Sequence, residues 1–264
     1  MDNVLLSANP HNFDECVSVA EQFQLGIEIQ AFSFPHILDG DWKNLVKEYR
    51  QKLNGVNGLI NMHGPFMDMA PGSPDPRINA ICMDRYRHAI QIASELSAKT
   101  VVFHANFIAS IHNMTYRRGW LERNIDFWGS LAQFAQRYNV IIAIENMWEF
   151  DPNLIGDILI AVEQPNLGTC LDIAHARLFG SDYPLETWLL TFQPWLVQLH
   201  MNNTLGKLDT HNALHHGVID YHEVLGWVRE LPIPLPMVLE MYKIEEMRQS
   251  LSYFELHPSN PNDH

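Results

Sequence analysis

The chain has 264 residues, 47% of them hydrophobic and 18% charged, with a formal net charge of −14 when histidine is neutral. That length supports a large buried core, and the balance is that of a globular protein. No apolar run approaches the roughly 20 residues that span a bilayer, the acidic excess disfavours a broad nucleic-acid surface, and three scattered cysteines, Cys16, Cys82 and Cys170, are too few for a disulfide framework.

The opening MDNVLLSANP has neither a basic stretch nor a long apolar one, so no secretory signal is expected and the expected location is cytoplasmic. Short apolar runs follow at 4–6, 26–30, 59–63, 100–104, 140–145, 169–172, 196–201 and 236–240. Helical patterns alternate with them at 13–24, 45–53, 78–96, 121–138, 154–162, 185–191, 221–231 and 246–256, the one at 78–96 being the longest and clearest. Continuous apolar strands alternating with helices predict a parallel sheet covered by helices. Eight such units predict one (β/α)8 TIM barrel, a single domain over 1–264. An open doubly wound sheet would bring a glycine-rich phosphate loop after its first strand, and none is present. The PGSPDP segment reads as a turn ending at a helix, with Asp75 as N-cap and Pro76 at the first helical position. The tail HPSNPNDH has no apolar pattern and is expected to fray.

Nine potential metal ligands sit at or near the ends of these runs: His63, His104, Glu145, Asp172, His175, His200, Asp209, His211 and Glu240. Six close or directly follow a strand-like stretch, in LINMH, TVVFH, VIIAIE, TCLD, LVQLH and PMVLE. A lone histidine at a strand end is most often a surface or hydrogen-bonded core residue. Six in series converge, because a barrel delivers the last residues of every strand to one rim. LDIAH adds His175 three residues after Asp172, and DTH adds Asp209 and His211. Mixed imidazole and carboxylate donors suit Zn, Mn, Fe or Co. The nearest basic partners are Lys207, Lys243 and Arg177, so the carboxylates would repel one another without cations. Cys170 is expected to be a small buried core residue.

Several neighbours invite both plain and functional readings. The tryptophans are expected to pack in the core or against helices. Trp148, three past Glu145, and Phe66, three past His63, are candidates to line a substrate pocket. Glu28 and Gln30 end the second strand, where either could touch substrate. His215 and His216 read as turn or surface residues.

The strings HGPFMDMAPGSPD, ENMWE, LDIAHA and HMNNTLGKLDTHNALHHGVIDY resemble the xylose isomerase-like TIM-barrel superfamily, which includes endonuclease IV and many sugar isomerases and epimerases. The resemblance runs from about Gly26 to Glu240. It implies a divalent-metal site of one to three ions per chain. In the endonuclease IV-like pattern, His63, His104 and Glu145 would hold one ion. Glu145, Asp172, His200 and Glu240 would hold a second, and His175, Asp209 and His211 a third. The ketose epimerase-like pattern uses one ion on Glu145, Asp172, His200 and Glu240, with the two glutamates as acid and base and His175 touching substrate. An arginine usually follows the seventh strand in that branch, and NNTLGKLDTH lacks one.

The expected activity is a metal-dependent isomerase or epimerase acting on a small polyhydroxy or phosphorylated substrate, with Glu145, Glu240 and His175 as catalytic residues. The alternative is a multinuclear phosphoesterase resembling endonuclease IV, and a lesser one a non-catalytic metal- or sugar-binding barrel. Nucleic acid is not the expected partner. The loop AFSFPHILDGDW carries no lysine or arginine, and the main basic cluster in a connection is at Arg117 and Arg118.

Overall fold

The computed structural model describes residues 3–256. Eight parallel strands close into a barrel in sequence order: β1 (Asn3–Ala8), β2 (Gly26–Ile29), β3 (Ile60–His63), β4 (Thr100–His104), β5 (Ile141–Glu145), β6 (Leu167–Asp172), β7 (Leu196–Met201) and β8 (Pro236–Leu239). The seam pairs β1 with β8, placing Leu5 opposite Val238. All eight strands read from the sequence are present, so the fold is a (β/α)8 barrel. The tail expected to fray, 257–264, lies outside the described residues.

The helices are α1 (Phe13–Phe23), α2 (Pro35–Leu38), α3 (Trp42–Lys52), α4 (Pro76–Glu95), α5 (Met114–Gln136), α6 (Asn153–Val162), α7 (Ile173–Phe179), α8 (Leu185–Phe192), α9 (Tyr221–Arg229) and α10 (Ile244–Ser250). Asp75 caps α4 as expected, accepting the Arg77 N–H at 2.8 Å. The longest helix is α5, with 23 residues against 20 in α4. Its first two turns contain two arginines and Gly119, which hide the apolar period, but Asn113 caps it by accepting the Tyr116 N–H at 2.7 Å. Arg117 and Arg118 therefore belong to a helix, not to a loop. The four-residue α2 and seven-residue α7 are too short to show a period.

Most of the core lies between strands and helices, where Trp128, Trp188 and Tyr86 are fully buried. Burying such side chains stabilises the fold by about 1.5–3 kcal/mol each. Trp42, Trp195 and Trp227 pack against the same core from partly buried positions. Inside the barrel the apolar cluster is small: Val102, Ala143 and Cys170, with Val197 against it. Cys170 is thus the buried residue expected, and burial pushes its thiol well up. The rest of the interior near the rim is polar, with Glu28, Asn61, Gln198 and His200 all buried. Polar groups so placed must find partners within the protein, and theirs are at the site.

Candidate metal centre

His63, His104, Glu145 and Asp172 are the last residues of β3, β4, β5 and β6; His200 is the penultimate residue of β7, and Glu240 directly follows β8. His175 lies in the first turn of α7. Asp209 and His211 come from the β7–α9 loop, which folds back on itself. Asn203 and Asn212 exchange backbone hydrogen bonds of 2.9 and 2.8 Å in an antiparallel bridge. Beside that bridge His211 has φ 48, a left-handed conformation that L side chains rarely adopt. Such strain costs about 1–3 kcal/mol and persists only where surrounding structure imposes it.

All nine residues converge, in three groups whose donor atoms lie within 4.8 Å of one another. The groups are His63, His104 and Glu145; Glu145, Asp172, His200 and Glu240; and His175, Asp209 and His211. Glu145 links the first two. Its Oε2 is 3.2 Å from Nε2 of both His63 and His104, and its Oε1 is 3.2 Å from His200 Nδ1. His200 Nδ1 is also 3.2 Å from Glu240 Oε2. In the third group Asp209 lies 3.3 Å from Nε2 of both His175 and His211.

The backbone decides which imidazole nitrogens face the site. His63 Nδ1 donates to the Gly64 carbonyl at 2.8 Å, His175 Nδ1 to Asn146 O at 3.0 Å, and His211 Nδ1 to Glu240 O at 2.7 Å. A carbonyl oxygen can only accept, so the proton sits on Nδ1 and Nε2 is left for the site. Gly64 is required at its position, since a Cβ there would lie 2.0 Å from the Phe103 ring.

Asp172 is held by residues the sequence did not single out. Asn146 forms a two-way pair with its main chain, at 2.9 and 3.0 Å, and Asn202 Nδ2 donates to its Oδ2 at 3.0 Å. Its Oδ1 caps α7 by accepting the His175 N–H at 2.6 Å. Gln30 Nε2 donates to Glu240 Oε1 at 2.7 Å, which gives Gln30 a supporting place. Asn146 and Asn202 flank ligands in ENM and HMNN, and that adjacency was the available signal.

The donor set fits divalent cations. Five buried or half-buried carboxylates gather here, Glu28, Glu145, Asp172, Asp209 and Glu240, with no lysine or arginine lining the cavity above them. Asp209 Oδ1 and Glu240 Oε2 are buried without a hydrogen-bond partner. Burial and the neighbouring carboxylates Glu145 and Glu240 push Asp172 up to about 6, against the pull of His175. Burial also works to raise Glu240, but His200 and His211 outweigh it and hold the carboxyl at about 2. Desolvation opposes charging of His211, yet Asp209 and Glu240 lift it to about 9. Imidazolium protons thus balance the carboxylates where no ion does, and cations would replace them.

A cavity of about 400 Å³ opens over the site, lined by His63, His104, Glu145, His175, Asp209, His211 and Glu240, and by Pro10, Phe34, Ile37, Phe66, Met241 and Tyr242. Phe66 lines it as expected, its ring 5.2 Å from that of His63. Trp148 does not: it is 42% exposed and packs edge-on against Phe179, and Met147 lines the cavity instead. Glu28, expected near substrate, is fully buried and does not line the cavity. His11 and Tyr242 from loops, and His36 from α2, line it unforeseen, in segments whose sequence carries no ligand pattern. His215 and His216 are exposed in a turn, as expected. Arg117 pairs with Asp151 at 2.7 Å and Asp157 at 3.5 Å, and Arg118 with Glu122 at 3.1 Å, so the expected basic cluster is neutralised within the chain.

A closed (β/α)8 barrel with imidazoles and carboxylates at its C-terminal rim defines a class of proteins built around that rim. The chain belongs to the xylose isomerase-like TIM-barrel family, whose model matches residues 23–257. It is 28% identical over 178 residues to the uncharacterized protein MJ1311 of Methanocaldococcus jannaschii, an alignment covering 65% of this chain and 60% of that protein's length. Among solved structures, the TTHB071 protein from Thermus thermophilus, soaked with ZnCl2, is similar with TM-score 0.77 and 28% identity, over 96% of both chains. A D-tagatose 3-epimerase-like protein shares the fold, with TM-score 0.81 and 24% identity, over 95% of this chain and 94% of that one. Among the described residues no helix is long and apolar enough to cross a membrane.

Proposed function

We propose that the protein is a divalent-metal-dependent sugar isomerase or epimerase acting on an uncharged polyhydroxy substrate. The observation that carries this reading is the pair Glu145 and Glu240, both 3.2 Å from one nitrogen of His200, at the floor of a cavity with no lysine or arginine in its wall. A phosphate or carboxylate on the substrate would find no lysine or arginine there and would face Glu145, Asp209 and Glu240. An ion held by Glu145, Asp172, His200 and Glu240 would polarise a substrate carbonyl, easing loss of the neighbouring proton. Glu240 is the better-placed proton acceptor, since only His200 lies close to its Oε2, whereas the oxygens of Glu145 are held among His63, His104 and His200. Glu145 then returns a proton, and His175, beside Asp209, orients a substrate oxygen. The resemblance of the fold to a D-tagatose 3-epimerase-like protein agrees with this reading.

A second reading is favoured by the complete set of three ligand groups. Two or three ions would suit hydroxide chemistry on a small phosphoester. The paired Arg117 and Arg118 leave little to track a nucleic-acid backbone, and argue against DNA under either reading. The deciding experiment incubates metal-loaded protein with neutral ketoses and with small phosphoesters in deuterated water. Deuterium entering the isomerised carbon of a neutral ketose is the expected result. Phosphoester cleavage with no exchange in any ketose would overturn it.

A further inference from the structure

Glu28 projects from β2 into the barrel below the ligand groups and is fully buried. His200 Nε2, the nitrogen on the opposite edge of the ring from Glu145 and Glu240, hydrogen-bonds Glu28 Oε2 at 3.4 Å, lies 3.1 Å from the otherwise unpartnered Glu28 Oε1, and is 2.9 Å from the Gln198 amide nitrogen. Glu28 Oε2 also accepts from Gln198 Nε2 at 2.5 Å, and Gln198 Oε1 accepts from Asn61 Nδ2 at 2.5 Å. These residues come from β2, β7 and β3, so the chain of hydrogen bonds crosses the barrel. A carboxylate buried only to fill space would be destabilising, because desolvation outweighs its contacts. This one faces His200, whose ring, unlike those of His63, His175 and His211, is not held by a backbone carbonyl.

We propose that Glu28 is a positioning residue, accepting the Nε2 proton of His200 so that Nδ1 is offered, bare, to the ion shared with Glu145, Asp172 and Glu240. Where His63, His175 and His211 have a main-chain carbonyl fixing the tautomer, His200 has this carboxylate, and its ring is accordingly used the other way round. The arrangement is a carboxylate–histidine–metal triad, in which the outer partner sets ring orientation and strengthens the ligand. The inference rests on the metal reading of the site, but not on the reaction.

The test compares wild type, E28Q and E28M for Mn²⁺ and Zn²⁺ affinity by chelator competition, with the imidazole ¹⁵N spectrum of His200 recorded on each. E28Q keeps an acceptor for His200: its amide group can donate to Gln198 Oε1 while Gln198 turns its own amide to Asn61 Oδ1, which has no partner in the native chain. E28Q is therefore expected to keep most of the affinity and the Nε2–H signal. E28M removes the acceptor and is expected to lose roughly ten- to a hundredfold in affinity, as outer-shell variants do, and to show a mixture of His200 tautomers. Native-like affinity in E28M, or an E28Q as weak as E28M, would overturn the proposal. Should E28M fail to fold, the E28Q spectrum decides alone: loss of the Nε2–H signal contradicts the role. A wild type that binds neither ion would instead defeat the metal reading itself.

Discussion

His211 gives its Nδ1 proton to the main-chain carbonyl of Glu240, 2.7 Å away. The backbone of one candidate ligand thereby aims another, and the middle and third ligand groups are mechanically joined at the end of β8. Because the bond is to the carbonyl, it survives changes to the Glu240 side chain. E240Q should weaken the middle group while leaving His175, Asp209 and His211 able to hold an ion. H211A should do the reverse, lowering affinity at the third group by at least about tenfold, the scale on which even outer partners matter. Elemental analysis of each variant after dialysis against graded metal separates the two patterns.

Metal binding and protonation compete for the same nitrogens. Burial opposes charge on His175 and His200, but Asp172 and Asp209 around the first, and Cys170, Glu145, Glu28 and Glu240 around the second, raise both well above the ordinary imidazole range. His211 reaches about 9. At neutral pH the metal-free site therefore holds protons that an ion must displace, so affinity should rise with pH up to about 9 and fall below it. Calorimetric titration with Zn²⁺ in two buffers of different ionisation enthalpy should give different heats, the gap counting protons released. Equal heats would contradict the account.

Glu149 ties two rim loops together. One oxygen accepts the Phe107 N–H at 2.8 Å and the other accepts the Met147 N–H at 2.7 Å, with the side chain buried. The carboxamide of E149Q offers one acceptor where two are needed, setting an N–H against an NH2. A loss of about 1–3 kcal/mol in unfolding free energy is expected, read from the shift in denaturant midpoint. An unmoved midpoint would show that the loops do not depend on this contact.

Much of this architecture was legible in the residues. The strand runs ending in His63, His104, Glu145 and Asp172 combine an apolar period with a polar terminus, and in a barrel that pattern has one spatial meaning. The nine candidate ligands were readable because each follows a strand or lies in a short motif beside one. Glu28 was misread for the same reason, since its place near a strand end suggested the rim. The difference is depth: Glu28 sits one residue before the end of β2 and faces the interior, whereas Gln30 follows the strand and reaches Glu240. Trp148 was misread because spacing from Glu145 does not say which way a loop turns. The first turns of α5 were hidden in part by Arg117, whose partners, Asp151 and Asp157, lie more than thirty residues away. Long-range pairing of that kind leaves no local trace.

The central claim is that the rim is a divalent-metal centre, and counting ions tests it most directly. The clustered carboxylates leave charge for more than one divalent ion, and the proposed reaction needs the one on Glu145, Asp172, His200 and Glu240, so at least one ion per chain is expected. Protein purified without chelator, equilibrated with Zn²⁺ or Mn²⁺ and freed of excess, should retain that number by elemental analysis. Retention of well under one ion per chain with either metal would contradict the account.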